Sequence, residues 1–151
     1  MRGAHLFACA VLAAGCSEST TSRVDPYTGE LEIVEWRDGR RHGRTQAYDH
    51  NEVLREEAHF ERGLLSGIRT HWHANGAKER ELSYAAGLRH GPERGWHADG
   101  TPAFEGRWVD GDRDGTWTWY AEDGRPERAE DWELGTKLAE RRLDGADPGG
   151  D

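Results

Sequence analysis

Gly-Asp-Arg-Asp-Gly-Thr-Trp-Thr-Trp-Tyr-Ala-Glu-Asp-Gly, residues 111–124, contains the plan of this chain. Two glycines four positions apart precede a run of β-forming residues, and the run closes on Asp-Gly. Outward in both directions the same features return every 24 residues. The first glycine recurs as Gly39, Gly63, Gly87, Gly111 and Gly135, and the second as Gly43, Gly67, Gly91 and Gly115. The closing pair recurs as Asn75-Gly76 and Asp99-Gly100, with Asn51-Glu52 in the first copy. At half that period every twelfth residue is aromatic: Trp36, Tyr48, Phe60, Trp72, Tyr84, Trp96, Trp108, Tyr120 and Trp132. A fixed period of this kind marks an array of identical supersecondary units.

The unit reads as a β-hairpin. Asn-Gly and Asp-Gly are strong hairpin signals because a type I′ turn requires φ > 0 at both central residues. They are expected to form the tight turns, with Gly-x-x-x-Gly as the longer connection. No stretch of the repeats keeps a 3.6-residue apolar period for three turns without a glycine, so helix is excluded. Twelve residues per strand and turn suit strands of about six residues. Alternation places Val34, Ala58 and Leu82 on the face of the aromatic two residues on, and Glu57, Glu81 and Glu105 on the other face. The expectation is an all-β antiparallel hairpin array, a twisted elongated sheet of about nine or ten strands, with one aromatic and one polar face.

The segment 111–124 and its counterpart Gly-Leu-Leu-Ser-Gly-Ile-Arg-Thr-His-Trp-His-Ala-Asn-Gly (63–76) resemble the bacterial variant of the MORN repeat. The resemblance covers about Leu31 to Lys137. The first copy departs from the pattern at Glu52, and the last is cut short after Gly135. Proteins similar to this are often labelled antitoxins of the YwqK family, a function that the repeat pattern does not itself support.

The ends read differently. Arg2, the apolar run Leu6–Ala14 and then Leu12-Ala-Ala-Gly-Cys16 have the form of a secretory signal. Small residues before a cysteine resemble the lipobox of bacterial lipoproteins, which implies removal of residues 1–15 and lipid on Cys16. The apolar run is shorter than the ~20 residues a spanning helix needs. Ser17 after the cysteine, by resemblance to envelope sorting rules, permits transfer to the outer membrane. Residues 16–30 are expected as lipidated cysteine and polar linker, 31–137 as the repeats, and 138–151 as a disordered acidic tail.

Composition narrows the function. The chain is 34% hydrophobic and 32% charged, which argues against a large closed core. Its formal charge is −9, and loss of Arg2 with the leader makes it one unit more negative. Binding to nucleic acid or to anionic membrane surfaces requires Lys and Arg patches, so neither is expected. The two cysteines, Cys9 and Cys16, are taken up by leader and lipid, leaving none for a disulfide.

Candidate chemistry is sparse. His71 and His73 flank Trp72; His73 and His97 share a repeat position, as do His42 and His90. Equivalent strands lie about 10 Å apart, too far for two such histidines to share a zinc ion easily. The Glu57, Glu81, Glu105 row gives each carboxylate nearly the same environment, unlike a glycosidase pair. Asp110, Asp112 and Asp114 lack the order and closing Glu of a calcium loop. No metal, cofactor or catalytic residue is assigned. The repeated aromatics and glycines are expected to be structural. Trp117 and Trp119 interrupt the repeat, where other copies have Thr45, Arg69, Glu93 and Ala47, His71, Gly95. They are the candidate contact surface, exposed and independent of stability, with Trp96 as a core member. The reading is a non-catalytic, lipid-anchored envelope module binding a protein partner or acting as a scaffold. The alternatives are a carbohydrate- or peptidoglycan-binding module, and an antitoxin or immunity protein.

Overall fold

A computed structural model describes residues 9–13 and 16–143. Among these, thirteen strands form one antiparallel sheet. They are β1 Cys9–Ala13, β2 Cys16–Val24, β3 Leu31–Arg37, β4 Arg40–Tyr48, β5 Leu54–Glu61, β6 Leu64–Leu65 and β7 Gly67–Trp72, followed by β8 Lys78–Ala85, β9 Leu88–Trp96, β10 Pro102–Val109, β11 Asp112–Tyr120, β12 Pro126–Glu133 and β13 Thr136–Arg142. Spatial order follows chain order, except that the short β6 pairs with β5 beside β7. The hairpin array stands as expected, with more strands. Residues expected as a linker form β2, in register with β3 from Glu18 opposite Arg37 to Val24 opposite Leu31. Its small serines and threonines carry no apolar alternation, and pairing with β1 and β3 makes it a strand. At the other end β13 carries the sheet past Lys137, with Arg141 opposite Ala129. The tail residues 144–151, and leader residues 1–8, 14 and 15, lie outside the described residues.

The turns exchange the roles that the sequence suggested. The two-residue type I′ loops are Asp38-Gly39, Arg62-Gly63, Ala86-Gly87, Asp110-Gly111 and Leu134-Gly135, where both residues have positive φ. Flanking residues pair directly across them, as Val109 with Asp112. At Asn75-Gly76, Asp99-Gly100 and Asp123-Gly124 only the glycine is left-handed. There the Gly76 N–H donates to the His73 carbonyl at 3.0 Å and the His73 N–H to the Ala77 carbonyl at 2.9 Å. This is a tight turn followed by one left-handed residue. The reason lies in the Asx side chain. Asn75 Oδ1 accepts from the Ala77 N–H at 3.0 Å and Asp99 Oδ1 from the Thr101 N–H at 2.9 Å, bonds of the Asx-turn kind that anchor a loop longer than two residues. In the first copy Glu52 occupies the glycine's position at φ 61°.

The nine aromatics likewise do not form a single ladder. Trp36, Phe60, Tyr84, Trp108 and Trp132 stand beside the type I′ turns, as the pairings Trp36–Arg41 and Trp108–Arg113 show. Tyr48, Trp72, Trp96 and Tyr120 stand at the other strand ends, paired with Leu54, Lys78, Pro102 and Pro126. The faces differ as well. Trp108 Nε1 donates to Glu93, while the Tyr120 hydroxyl donates to Glu105 at 2.7 Å; Glu93 and Glu105 belong to rows of opposite parity. Twelve residues return the chain to the neighbouring strand, but on the opposite face and at the opposite end.

A single sheet has no second layer to bury against. Its core is a row along one face: Val34, Thr45 and Ala58, then Leu82, Glu93 and Gly106, then Trp117 and Glu130. All but the glycine are buried. Where a second layer would lie, long side chains fold over the row.

Candidate functional site

The strongest assembly of side chains surrounds Trp117. Gly106, across the sheet, has no side chain, and the indole fills that space: a Cβ at Gly106 would lie 2.2 Å from Trp117 Cδ2. Phe104 covers Gly95 in the same way. Trp117 packs edge-on to Trp108, with ring centres 5.3 Å apart, and beside Phe104 and Trp119 at 6.4 and 6.1 Å. Its Nε1 donates to the Arg107 carbonyl at 3.2 Å.

Arginines close this cluster from above. The Arg113 guanidinium lies 4.4 Å from the Trp117 ring centre and 5.0 Å from that of Trp132. Arg89 covers Trp108 at 4.6 Å, Arg128 covers Trp119 at 3.9 Å, and Arg41 covers Phe60 at 5.4 Å. Cations over ring faces in partly desolvated sites are attractive electrostatically. Their long stems also cover apolar surface. Arg41, Arg89 and Arg113 share one repeat position, two residues after the first glycine, with Leu65 and Lys137 in the other copies. That position is a further periodic signal in the sequence, beside the aromatic and glycine columns.

Two buried carboxylates pair with cations of this cluster, Glu130 with Arg113 and Arg128, and Glu93 with Arg80, which lies over Phe104. The Glu93 side chain is fully buried and is held by Arg80 and by Trp108 Nε1. Glu130 accepts from Trp132 Nε1 at 3.1 Å and pairs with Lys137 at 3.2 Å and Arg113 at 3.5 Å. A buried carboxylate persists only when paired and hydrogen-bonded in this way.

The expected contact surface therefore needs correction. Trp117 is 2% exposed and belongs to the core. Trp119 is half-buried, with one side taken by Trp117 and another by Arg128. Repeat-breaking aromatics here compensate for Gly106 and fill the core row. Trp96, expected in the core, is only half-buried and belongs to the opposite face.

The histidines join repeats. His73 Nε2 bonds the Trp96 carbonyl at 2.8 Å, and His97 Nε2 lies 3.4 Å from that of Tyr120. The Arg62 N–H donates to His42 Nδ1 and the Asp110 N–H to His90 Nδ1, each at 3.4 Å. His71 stands instead beside Glu56 at 3.7 Å, and burial lowers its pKa from the ordinary histidine value despite that carboxylate. Among the described residues no three His, Cys, Asp or Glu side chains are grouped to hold a metal ion. Main-chain bonds repeat the same linkage: Gly63, Gly87, Gly111 and Gly135 donate to the carbonyls of Arg41, Leu65, Arg89 and Arg113 at 2.8–2.9 Å.

The opposite face is open. It carries the Glu57, Glu81, Glu105 row with Gln46, Thr70, Arg94 and Thr118 between its members. A groove of about 470 Å³ lies beside the first two loops where the faces meet, walled by Tyr48 and Trp72 and by Glu56 and His71 of the core face. Cys16 begins β2.

Residues 41–62, which run from the second residue of β4 through its loop and β5 to the first residue of the next type I′ turn, match the family model described as MORN repeat variant. No curated protein matches the chain.

Proposed function

We propose that this chain is a non-catalytic binding or scaffold module of the bacterial cell envelope, anchored by lipid on Cys16 and exported to the outer membrane. The observation that carries it is the array itself. Equivalent side chains are offered at regular intervals on an open face, and the titratable groups of the other face are spent on holding the rings together. The match to a MORN repeat variant supports a repeat-based binding module.

Lipid on Cys16 would sit two residues from Glu18, the first residue of β2 in register with β3. A span of two residues reaches at most ~7 Å, so the sheet would be held close to the membrane rather than on a long tether. Loss of residues 1–15 would also uncover the edge of β2 that pairs with β1. Metabolic labelling with a fatty-acid analogue, followed by membrane fractionation, tests the anchor. The full chain should take up label and sediment with outer membranes, and Cys16→Ser should remain an unlabelled precursor. Normal labelling of Cys16→Ser would overturn the anchor.

A further inference from the structure

The two aromatic sets have different surroundings. The rings beside the type I′ turns in the second half of the array are covered by arginine or by one another. Tyr48, Trp72 and Trp96 are half-buried, and among the described residues their rings have no stacking or cation–π partner. With Tyr120 they form one column, a ring per repeat, at the ends of β4, β7, β9 and β11. Successive members are two strands apart, about 10 Å.

A polar row runs alongside. Gln46, Thr70, Arg94 and Thr118 precede the four rings by two residues and so share their face. They alternate across the sheet with Glu57, Glu81 and Glu105. The bond from the Tyr120 hydroxyl to Glu105 ties the two rows together. The face is a line of half-buried rings, one per repeat, with hydrogen-bonding groups of both kinds beside it.

We propose that this face binds an extended β-1,4-linked pyranose chain, alternate sugars resting on Tyr48, Trp72, Trp96 and Tyr120 while their hydroxyls bond to the Gln–Glu–Thr–Arg row. The proposal rests on the reading of the array as a binding module and names its ligand. A pyranose ring has a C–H face that packs on an aromatic and a rim of hydroxyls that both donate and accept. In a β-1,4 chain these units form a flat ribbon, and two sugars advance by roughly the distance between two strands, about 10 Å. A periodic ligand can engage every repeat at once, and linked weak contacts multiply into usable affinity. A folded protein offers no such period; its strong contacts cluster at the centre of a patch and are surrounded by a water-excluding rim. An α-1,4 chain coils and loses register after one or two sugars.

The test is titration of the purified full chain with chitohexaose, cellohexaose, chitobiose and maltohexaose, followed by tryptophan fluorescence and calorimetry. At least one β-linked hexasaccharide should bind, at least about tenfold more tightly than chitobiose, because several linked rings act together. Trp72→Ala with Trp96→Ala should lower that affinity about a hundredfold at an unchanged circular dichroism spectrum. Should the alanine pair fail to fold, Trp72→Phe with Trp96→Phe keeps smaller rings and should still weaken binding measurably at an unchanged melting temperature. Four results would overturn the proposal: neither β-linked hexasaccharide binds at millimolar concentration, maltohexaose binds equally well, chitobiose matches the hexasaccharides, or the folded variants bind like the parent. A failed anchor with intact sugar binding would remove the membrane reading alone.

Discussion

Replacing Trp117 by alanine should be among the most damaging single substitutions in this chain. The indole is 2% exposed and touches Trp108, Phe104 and Trp119, with Arg113 above it and Gly106 beneath. A buried tryptophan cut to alanine costs about 3–5 kcal/mol through lost transfer energy and the cavity left behind. Collapse cannot fill the space from below, because Gly106 has no side chain and the sheet backbone is fixed by its ladder. For a domain of this size that cost corresponds to a fall in melting temperature of roughly 10–20 °C. Gly106→Ala supplies the matching perturbation from the other side. Its Cβ would meet Trp117 Cδ2 at 2.2 Å and Cε2 at 2.3 Å, both atoms of a rigid ring. Overpacking of this kind costs about 1–3 kcal/mol. With Trp117 already alanine, the added methyl enters empty space and should cost almost nothing, so the pair should couple by at least about 1 kcal/mol. Urea or thermal unfolding of the four chains, followed by far-ultraviolet circular dichroism, measures the cycle. A Trp117→Ala loss below about 1 kcal/mol, or an equal cost of Gly106→Ala in both backgrounds, would refute the packing argument.

Other consequences follow from single contacts. Gly100 is at φ +90° with open space around its Cβ position, so Gly100→Val should lose about 1–3 kcal/mol from backbone strain alone. Conversely Glu52→Gly, at φ 61° in the first copy, should raise stability by up to about 1 kcal/mol, read as a higher denaturation midpoint. Burial lowers the His71 pKa in the folded chain. Its neutral form is favoured by folding, so the unfolded chain binds the extra proton and this contribution is present above the ordinary histidine pKa and lost as pH falls below it. His71→Gln should flatten the pH dependence of the melting temperature between about pH 7 and 5. Removal of residues 84–107, one full period, joins Ser83 to Trp108 in the same repeat frame. It should leave a shorter chain that still unfolds cooperatively, because each hairpin contacts only its neighbours; a chain with no β-sheet spectrum would contradict this.

Much of this architecture could be read in advance for a definite reason. Spacing in an antiparallel array is set by chain geometry, so a 24-residue recurrence of glycine and aromatic positions requires equivalent hairpins. The left-handed glycines Gly76, Gly100 and Gly124 were legible from Asn-Gly and Asp-Gly. Turn type was not. It depends on whether Asn75 or Asp99 turns its side chain to the main chain two residues on. Of the type I′ loops, Asp38-Gly39 and Asp110-Gly111 carry the Asp-Gly signal, but Arg62, Ala86 and Leu134 stand at positive φ with no residue type that would mark them. The ends of the array are hidden in the sequence for a related reason. An outer strand such as Thr136–Arg142, exposed at every residue, carries no apolar alternation to announce it.

The sequence by itself determined the class, the period and the hairpin unit of this protein, because these are properties of one chain repeating local chemistry. Which aromatics are core and which are free was decided only by the tertiary structure. Along the chain Trp117 reads as the exposed, repeat-breaking ring and Trp96 as the core member of a column, and the structure reverses the two. One lies over Gly106 beneath the Arg113 guanidinium, and the other stands on the opposite face with no ring partner among the described residues. That difference arises from cross-strand register, which brings residue 106 against residue 117 and arginines over rings one repeat away. Burial is a property of such non-local neighbours, and a linear pattern of residue types does not contain them.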